Sequence, residues 1–207
     1  MFSVKGSMKP LIKGLSRLER KQIPFATAMA INSTLFDIRK AEMAQTHKKL
    51  DRPTNATVKG FRVKKATKQT QSGEVFIPDH IWAYMKYQVD GGVRVKRTGV
   101  PYQKNAKLNK FGNIPARKKG LIKNKHQFVA TINGITGVWQ RGHVSKKGKF
   151  SSAGKSRATN VRLMVAYESN TNYSKRFPFY KIADGVAKNR FGKNFKREMA
   201  RAMRSAR

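Results

Sequence analysis

Phe128-Val129-Ala130-Thr131-Ile132-Asn133-Gly134-Ile135-Thr136-Gly137-Val138-Trp139 is the stretch on which the fold turns. Two runs rich in β-branched and aromatic residues flank Asn133-Gly134. That dipeptide accepts positive φ at both central positions of a two-residue type I′ turn, so the spacing predicts an antiparallel hairpin. Beyond it, residues 141–160 (RGHVSKKGKFSSAGKSRATN) are rich in Gly, Ser and Lys and nearly free of core formers, which predicts a flexible, hairpin-like basic excursion. Val161 to Tyr167 (VRLMVAY) then returns as a buried strand. On the other side, Val93 to Lys125 holds Pro101, Pro115 and two basic clusters with little periodicity, and reads as a long basic loop or arm.

Helical patterns frame this centre. Residues 8–21 place Leu11, Ile12, Leu15 and Leu18 at three- and four-residue steps after Pro10, a short amphipathic helix. Pro24 sits where a second, longer helix opens, with Phe25, Ala28, Met29, Asn32, Leu35, Phe36, Arg39 and Met43 on one face and an end near Leu50 ahead of Pro53. Ala26, Ala28 and Ala30 make it slim. Residues 57–70 alternate weakly around Gly60 as a strand, and Glu74 to Ile77 is another. Asp79 is placed to cap a helix over His80 to Val89, with Ile81, Trp82, Met85 and Val89 inward, stopped by Asp90-Gly91-Gly92. After Arg176-Phe177-Pro178-Phe179-Tyr180 comes a C-terminal helix with Ile182, Val186, Phe191, Phe195, Met199 and Met203 as its stripe, its firmest part Asp184–Arg204. The expectation is an α+β fold in which long N-terminal and C-terminal helices pack on an antiparallel β-sheet containing the hairpin and Val161–Tyr167. It forms a single domain over 1–207, with structured flanks 8–92 and 126–207, the basic loop or arm 93–125 and the flexible excursion 141–160.

Composition narrows the function. The chain has 207 residues, 46 Lys+Arg against 10 Asp+Glu, a formal net charge of +36, no cysteine, 39% apolar residues and a mean hydropathy of −0.63. Lacking cysteine, it has no disulfide, thiolate nucleophile or Cys-type zinc site. No window approaches the ~18 apolar residues of a membrane span, and the first twenty residues lack the h-region of a signal peptide. At +36 a compact chain repels itself, so a polyanion or an acidic neighbour is expected beside it. After Asp90 no acid appears until Glu168, while Arg94 to Arg162 supplies eighteen Lys/Arg. Within that gap Lys118, Lys119, Lys146, Lys147, Lys149, Lys155 and Arg157 are the expected contacts to DNA phosphates or an acidic partner. They read no sequence, since phosphate contact needs no rigid element in a groove. Phe111, Phe128, Trp139, Phe150 and Tyr102 are weaker candidates for base stacking.

Chemistry is harder to find. Asp79 and Asp90 lie at the two ends of one helix, lack an acid-x-Lys triplet, and are explained as cap and turn. His126 and His143 flank the hairpin far from any carboxylate. Gly148-Lys149 and Gly154-Lys155 lack the strand–loop–helix frame of a phosphate-binding loop. The reading is therefore not an enzyme, with no cofactor.

Pro24-Phe25-Ala26-Thr27-Ala28-Met29-Ala30-Ile31-Asn32 resembles the opening of the N-terminal helix in the minor tail protein Z family, the tail-completion proteins of lambda-like long-tailed phages. The close of the chain, Phe177-Pro178-Phe179 leading into Phe191…Arg207, is similar to the basic C-terminal helix of that family. Tyr84 to Gly92 resembles a helix of the wider tail-completion and neck proteins. The likeness covers the flanks and leaves residues 93–160 unmatched. It implies a structural protein of the virion tail or neck, assembled in the host cytoplasm as a homo-oligomeric ring or collar. There it would meet other tail or neck proteins and form part of the DNA passage. The alternative is a non-viral nucleic-acid-binding structural protein such as a ribosome-associated subunit; a nuclease is disfavoured by the scattered acids.

Overall fold

The computed structural model describes residues 1–5, 17–95, 98–102, 105–114, 126–145, 147–152 and 160–205. In chain order these form β1 (Phe2–Lys5), α1 (Arg17–Lys49), α2 (Asn55–Val58), β2 (Arg62–Lys64), β3 (Ser72–Phe76), α3 (Asp79–Val89), β4 (Gly92–Arg94), β5 (Thr98–Pro101), β6 (Gln127–Ile132), β7 (Ile135–Val144), β8 (Phe150–Ser152), β9 (Asn160–Glu168), β10 (Thr171–Tyr173) and α4 (Phe179–Ser205). They divide into two compact units, Met1–Gly91 with Ser174–Arg207, and Gly92–Tyr173.

The fold class is α+β, as the periodicity indicated: two long helices on an antiparallel sheet. The sheet beneath the helices is β1–β3–β2. The hairpin sheet, expected in that role, belongs to the second unit. The helix expected to start at Pro24 already runs from Arg17, with Pro24 inside it. An interior proline costs about 3 kcal/mol by removing one backbone bond and crowding the preceding turn. Burial of Ile23, Ala26, Thr27, Ala30 and Ile31 just after that turn offsets it. Residues 8–16 of the first expected helix lie outside the described residues.

The core of this first unit packs Ile31, Leu35 and Ile38 of α1 against Val75, Ile81, Met85 and a trio of phenylalanines. Phe61 stacks on Phe179 at 6.1 Å and tilts against Phe177 at 6.0 Å. Asn32 clamps the chain after β2 in both directions, donating to the Ala66 carbonyl (3.0 Å) and accepting from the Ala66 amide (2.8 Å). Arg39 Nε donates to the Phe61 carbonyl at 2.9 Å.

Several local expectations give way to tertiary context. Residues 55–58 are one helical turn rather than the start of a strand, because Thr54 Oγ1 accepts from the Thr57 amide and caps it. Pro78, not Asp79, takes the N-cap position of α3, and Asp79 is its first residue. The stretch 93–125, read as a loop or arm, contributes β4 and β5, which pair with β10 and β9; residues 115–125 lie outside the described residues. Phe25 and Phe36, placed on the inward face of α1, are 42% and 43% exposed. Ala28 and Leu35 of that face are buried as expected, and a further buried line of α1 runs along Thr27, Ala30, Thr34, Ile38, Glu42 and Thr46. The buried line of α4 is Ala183, Asn194, Glu198 and Ala202, with the expected apolar stripe only half-buried.

This antiparallel α1–α4 seam is held by polar side chains. Asn194 Nδ2 donates to Thr34 Oγ1 (3.1 Å) and Asp37 Oδ2 (3.0 Å). Glu198 accepts from Ser33 Oγ (3.2 Å) and from Arg197, with Arg201 at 4.0 Å. Buried polar groups are sustainable when paired in this way. Two residues of the buried α1 line are exceptions: Glu42 is fully buried and neither carboxyl oxygen has a partner, and the buried Thr27 hydroxyl has none either. Among the described residues no helix is long and apolar enough to cross a membrane.

Burial pushes the Glu42 carboxyl up to about 9 from an ordinary 4.5. The unfolded chain loses this proton above about 4.5 while the folded chain keeps it to about 9. Stability is therefore fully present at acid pH and falls as pH rises through that window. Glu42→Gln stays neutral throughout. Urea unfolding should show the variant and wild type alike near pH 4.5 and the variant more stable by up to about 3 kcal/mol at pH 7. A pH-independent difference would contradict it.

Candidate nucleic-acid interface

The second unit carries the charge asymmetry. Of residues 92–173, eighteen are Lys or Arg and Glu168 is the one acid. Their scaffold is the sheet β5–β9–β7–β6, with β8 pairing the far end of β7. Asn133 (φ 51°) and Gly134 (φ 77°) make the expected type I′ turn, and pairing runs in register from Ile132↔Ile135 to Gln127↔Gln140.

The register between β7 and β9 shifts between Val138 and Trp139: Val138 faces Val165 and Trp139 faces Leu163, leaving Met164 as the extra residue. Val138 and Trp139 are both buried, as are Gly137 and Gln140 beside them on this central strand. The carbonyls around the bulge are taken up by the segment after β5: the Tyr102 amide donates to Met164 O (3.1 Å) and Asn105 Nδ2 to Leu163 O (2.9 Å). Val138, Val165 and Ala106 form the small core of this unit.

Beyond the bulge, β7 continues to Val144 and meets β8 through a tight turn. The Gly148 amide donates to Ser145 O (2.8 Å), Ser145 N to Lys149 O (2.9 Å) and Lys149 N to Ser145 Oγ (3.1 Å). The outer part of the 141–160 excursion is thus a hydrogen-bonded hairpin end, with Lys147 and Lys149 exposed on it. Of the seven expected contacts these two are brought together. Lys118, Lys119, Lys146, Lys155 and Arg157 lie outside the described residues.

Two arginines that sequence reading passed over join them. Arg162 is stacked on the Phe150 ring at 4.2 Å, and Arg141 on Phe128 at 4.5 Å. Cross-strand partners share a face. Arg141 falls with Trp139 and Leu163, while Arg162 falls with Gln140, Gly142 and Phe150 on the opposite face. Phe150 follows Lys149 directly, so Arg162 stacks on the first residue of the strand that leaves the lysine turn. Stacking holds a guanidinium plane still and leaves its edge for an anion. Arg162 Nε is buried and has no acceptor, at a cost of ~1–3 kcal/mol.

The same contacts revise the base-stacking candidates. Phe128, Phe150 and Phe111 each carry a cation of this chain over the ring, the last being Lys110 at 5.1 Å. Trp139 is buried and its indole N–H donates to the Ala130 carbonyl (3.1 Å). Among the described residues, Tyr102 of that set stays exposed without such cover. The ring faces of the phenylalanines are taken by this chain's own cations, which leaves them poorly placed to stack on bases.

Gly142 fixes the whole corner. A Cβ there would run into the Ser151 carbonyl and come within 2.5 Å of the Phe150 ring, which lies across the strand at this point. Only glycine lets Phe150 reach under Arg162.

Elsewhere, Asp79 and Asp90 begin and cap α3. Among the described residues no three His, Cys, Asp or Glu side chains gather where they could hold a metal. No family model, curated protein or solved structure matches this chain.

If the patch meets DNA, each phosphate neutralised adds ~0.9 to the log–log salt slope, so Lys147→Ala with Lys149→Ala should flatten it by up to ~1.8. Gly142→Ala removes no charge. It should nonetheless weaken duplex binding by displacing β8, at about 1–3 kcal/mol of overpacking. Fluorescence anisotropy with labelled random duplex across a salt series reads both. An unchanged slope in the double variant removes this turn from the DNA path.

Proposed function

We propose that this chain is a structural virion protein of a bacteriophage tail or neck. It would act in tail completion and head–tail joining, as an oligomeric ring or collar among other tail or neck proteins, and present its second unit to passing DNA. The observation that carries the reading is the confinement of eighteen cations and one acid to a single unit with a lysine-tipped hairpin and a stacked arginine. Such a surface neutralises phosphate without choosing bases, which suits a conduit through which any genome sequence passes.

The flanks support the same reading. In the stretch that resembles the minor tail protein Z family, Ala26, Thr27, Ala28, Ala30 and Ile31 are buried and Asn32 clamps the Ala66 backbone. The motif is thus spent on the helix core rather than on chemistry. The basic C-terminal helix packs on that same α1, so the two segments that carry the likeness form one structural element.

Immunogold electron microscopy of particles from cells that express the gene tests the proposal. Label confined to the tail or its junction with the head is expected. Label on ribosomes, with none on particles, would replace the reading with a non-viral nucleic-acid-binding one.

A further inference from the structure

The hairpin that organises the second unit is also its least charged surface. Residues 127–140 contain no Lys, Arg, Asp or Glu. One other run is as long, residues 22–36, and it forms the buried heart of α1. The neutral hairpin is different, because it lies at a sheet edge. In the order β5–β9–β7–β6, nothing among the described residues lies beyond β6.

Its backbone is open there. Ile132↔Ile135 closes the two-residue turn and so exchanges both backbone bonds, and Ala130↔Gly137 and Phe128↔Trp139 follow by alternation. Val129 and Thr131 therefore aim their N–H and C=O groups away from β7, and among the described residues none receives them. Val129 and Ile135 are 49% and 42% exposed. Folded proteins guard an edge like this with lysine, proline or a bulge. β6, with the sequence Gln-Phe-Val-Ala-Thr-Ile, has neither of those residues and pairs without a bulge. The opposite edge, β5, ends in Pro101.

We infer that β6 is the surface on which two copies of this chain associate, antiparallel β6 to β6, so that the sheet continues across a two-fold axis. The electrostatics select this partner. Two chains at +36 repel wherever they meet, and this edge lets their backbones approach with no like charges opposed. β6 paired to β5 of another copy is disfavoured, because proline cannot donate to the ladder. The inference stands apart from the virion reading. An isologous contact closes a dimer, and a ring would need a further surface.

Sedimentation velocity of the full chain at about 0.1 M and about 1 M sodium chloride, where screening lengths are ~10 and ~3 Å, gives the test. Dimerisation should strengthen with salt as the repulsion between copies is screened. Duplex binding responds with the opposite sign, which separates the two accounts. Thr131→Pro deletes an outward-pointing N–H together with the hydroxyl contact to Thr136 (2.8 Å), and Val129→Lys places a charge on the edge; each should lower the association constant more than tenfold. Retention of the Trp139 indole N–H resonance, bonded to Ala130, reports that the hairpin persists. If either variant loses it, amide exchange in wild type decides: slowing at Val129 and Thr131 with rising protein concentration supports the interface, and concentration-independent exchange overturns it. A monomeric wild type at both salts, association weakened by salt, or variants that dimerise like wild type would also overturn it.

Discussion

Like-charge repulsion is the constraint under which every other feature of this chain is arranged. With 46 cations and 10 acids, carboxylates are too scarce to distribute evenly. Four of those in the first unit pair with its framework. Glu198 gathers Ser33, Arg197 and Arg201 at the seam of the long helices, Asp37 takes Asn194, Glu74 sits 3.5 Å from Lys64 on the sheet, and Asp184 holds Lys188 one helical turn on at 2.7 Å. The exposed pairs among these add little individually. The buried ones fix which face of α4 meets α1, because Asn194 and Glu198 would each be costly without their partners. The second unit receives Glu168 and no other acid, so it carries an uncompensated field for which an external polyanion is the natural complement.

That polar seam also explains what was legible in the sequence and what was not. The hairpin was readable because Asn133-Gly134 is a local backbone requirement that needs no tertiary partner. The stop at Asp90-Gly91-Gly92 was readable for the same reason, and the strand Val161–Tyr167 from its apolar run, although only Leu163 and Val165 of it are buried. The inward faces of the long helices were only partly legible, because apolar periodicity assigns Thr27, Thr34, Glu42 and Asn194 to water. The burial of Thr34 and Asn194 rests on a hydrogen bond between residues 160 positions apart. Pro24 misled in a similar way, since a local start signal was overridden by burial on either side of it. β4 and β5 are too short to show a period, and they exist because β10 and β9 pair with them.

At the candidate interface, the lysines of the hairpin end were found by composition alone, as an acid-free run. The stacked arginines were not. Arg141 comes to Phe128 through the β6–β7 register, Arg162 comes to the face of Phe150 through the pairing of β7 with β9 and β8, and Gly142 must lack a side chain for Phe150 to cross β7. A trace of this was present in the alternation of Trp139, Arg141 and His143 along one strand. The register that turns alternation into contact is a property of three strands together. If both proposals hold, charge and neutrality divide the unit between two opposite responses to salt, phosphate binding weakening as self-association strengthens.

Thermal unfolding of the full chain across a salt series, without and with a short duplex, tests the central claim that uncompensated positive charge limits this fold and is relieved by a polyanion. The account predicts a Tm that climbs with sodium chloride alone. At low fixed salt it predicts a larger rise on adding duplex, growing with duplex concentration as binding to the folded state requires. A Tm indifferent to salt and to duplex would contradict it.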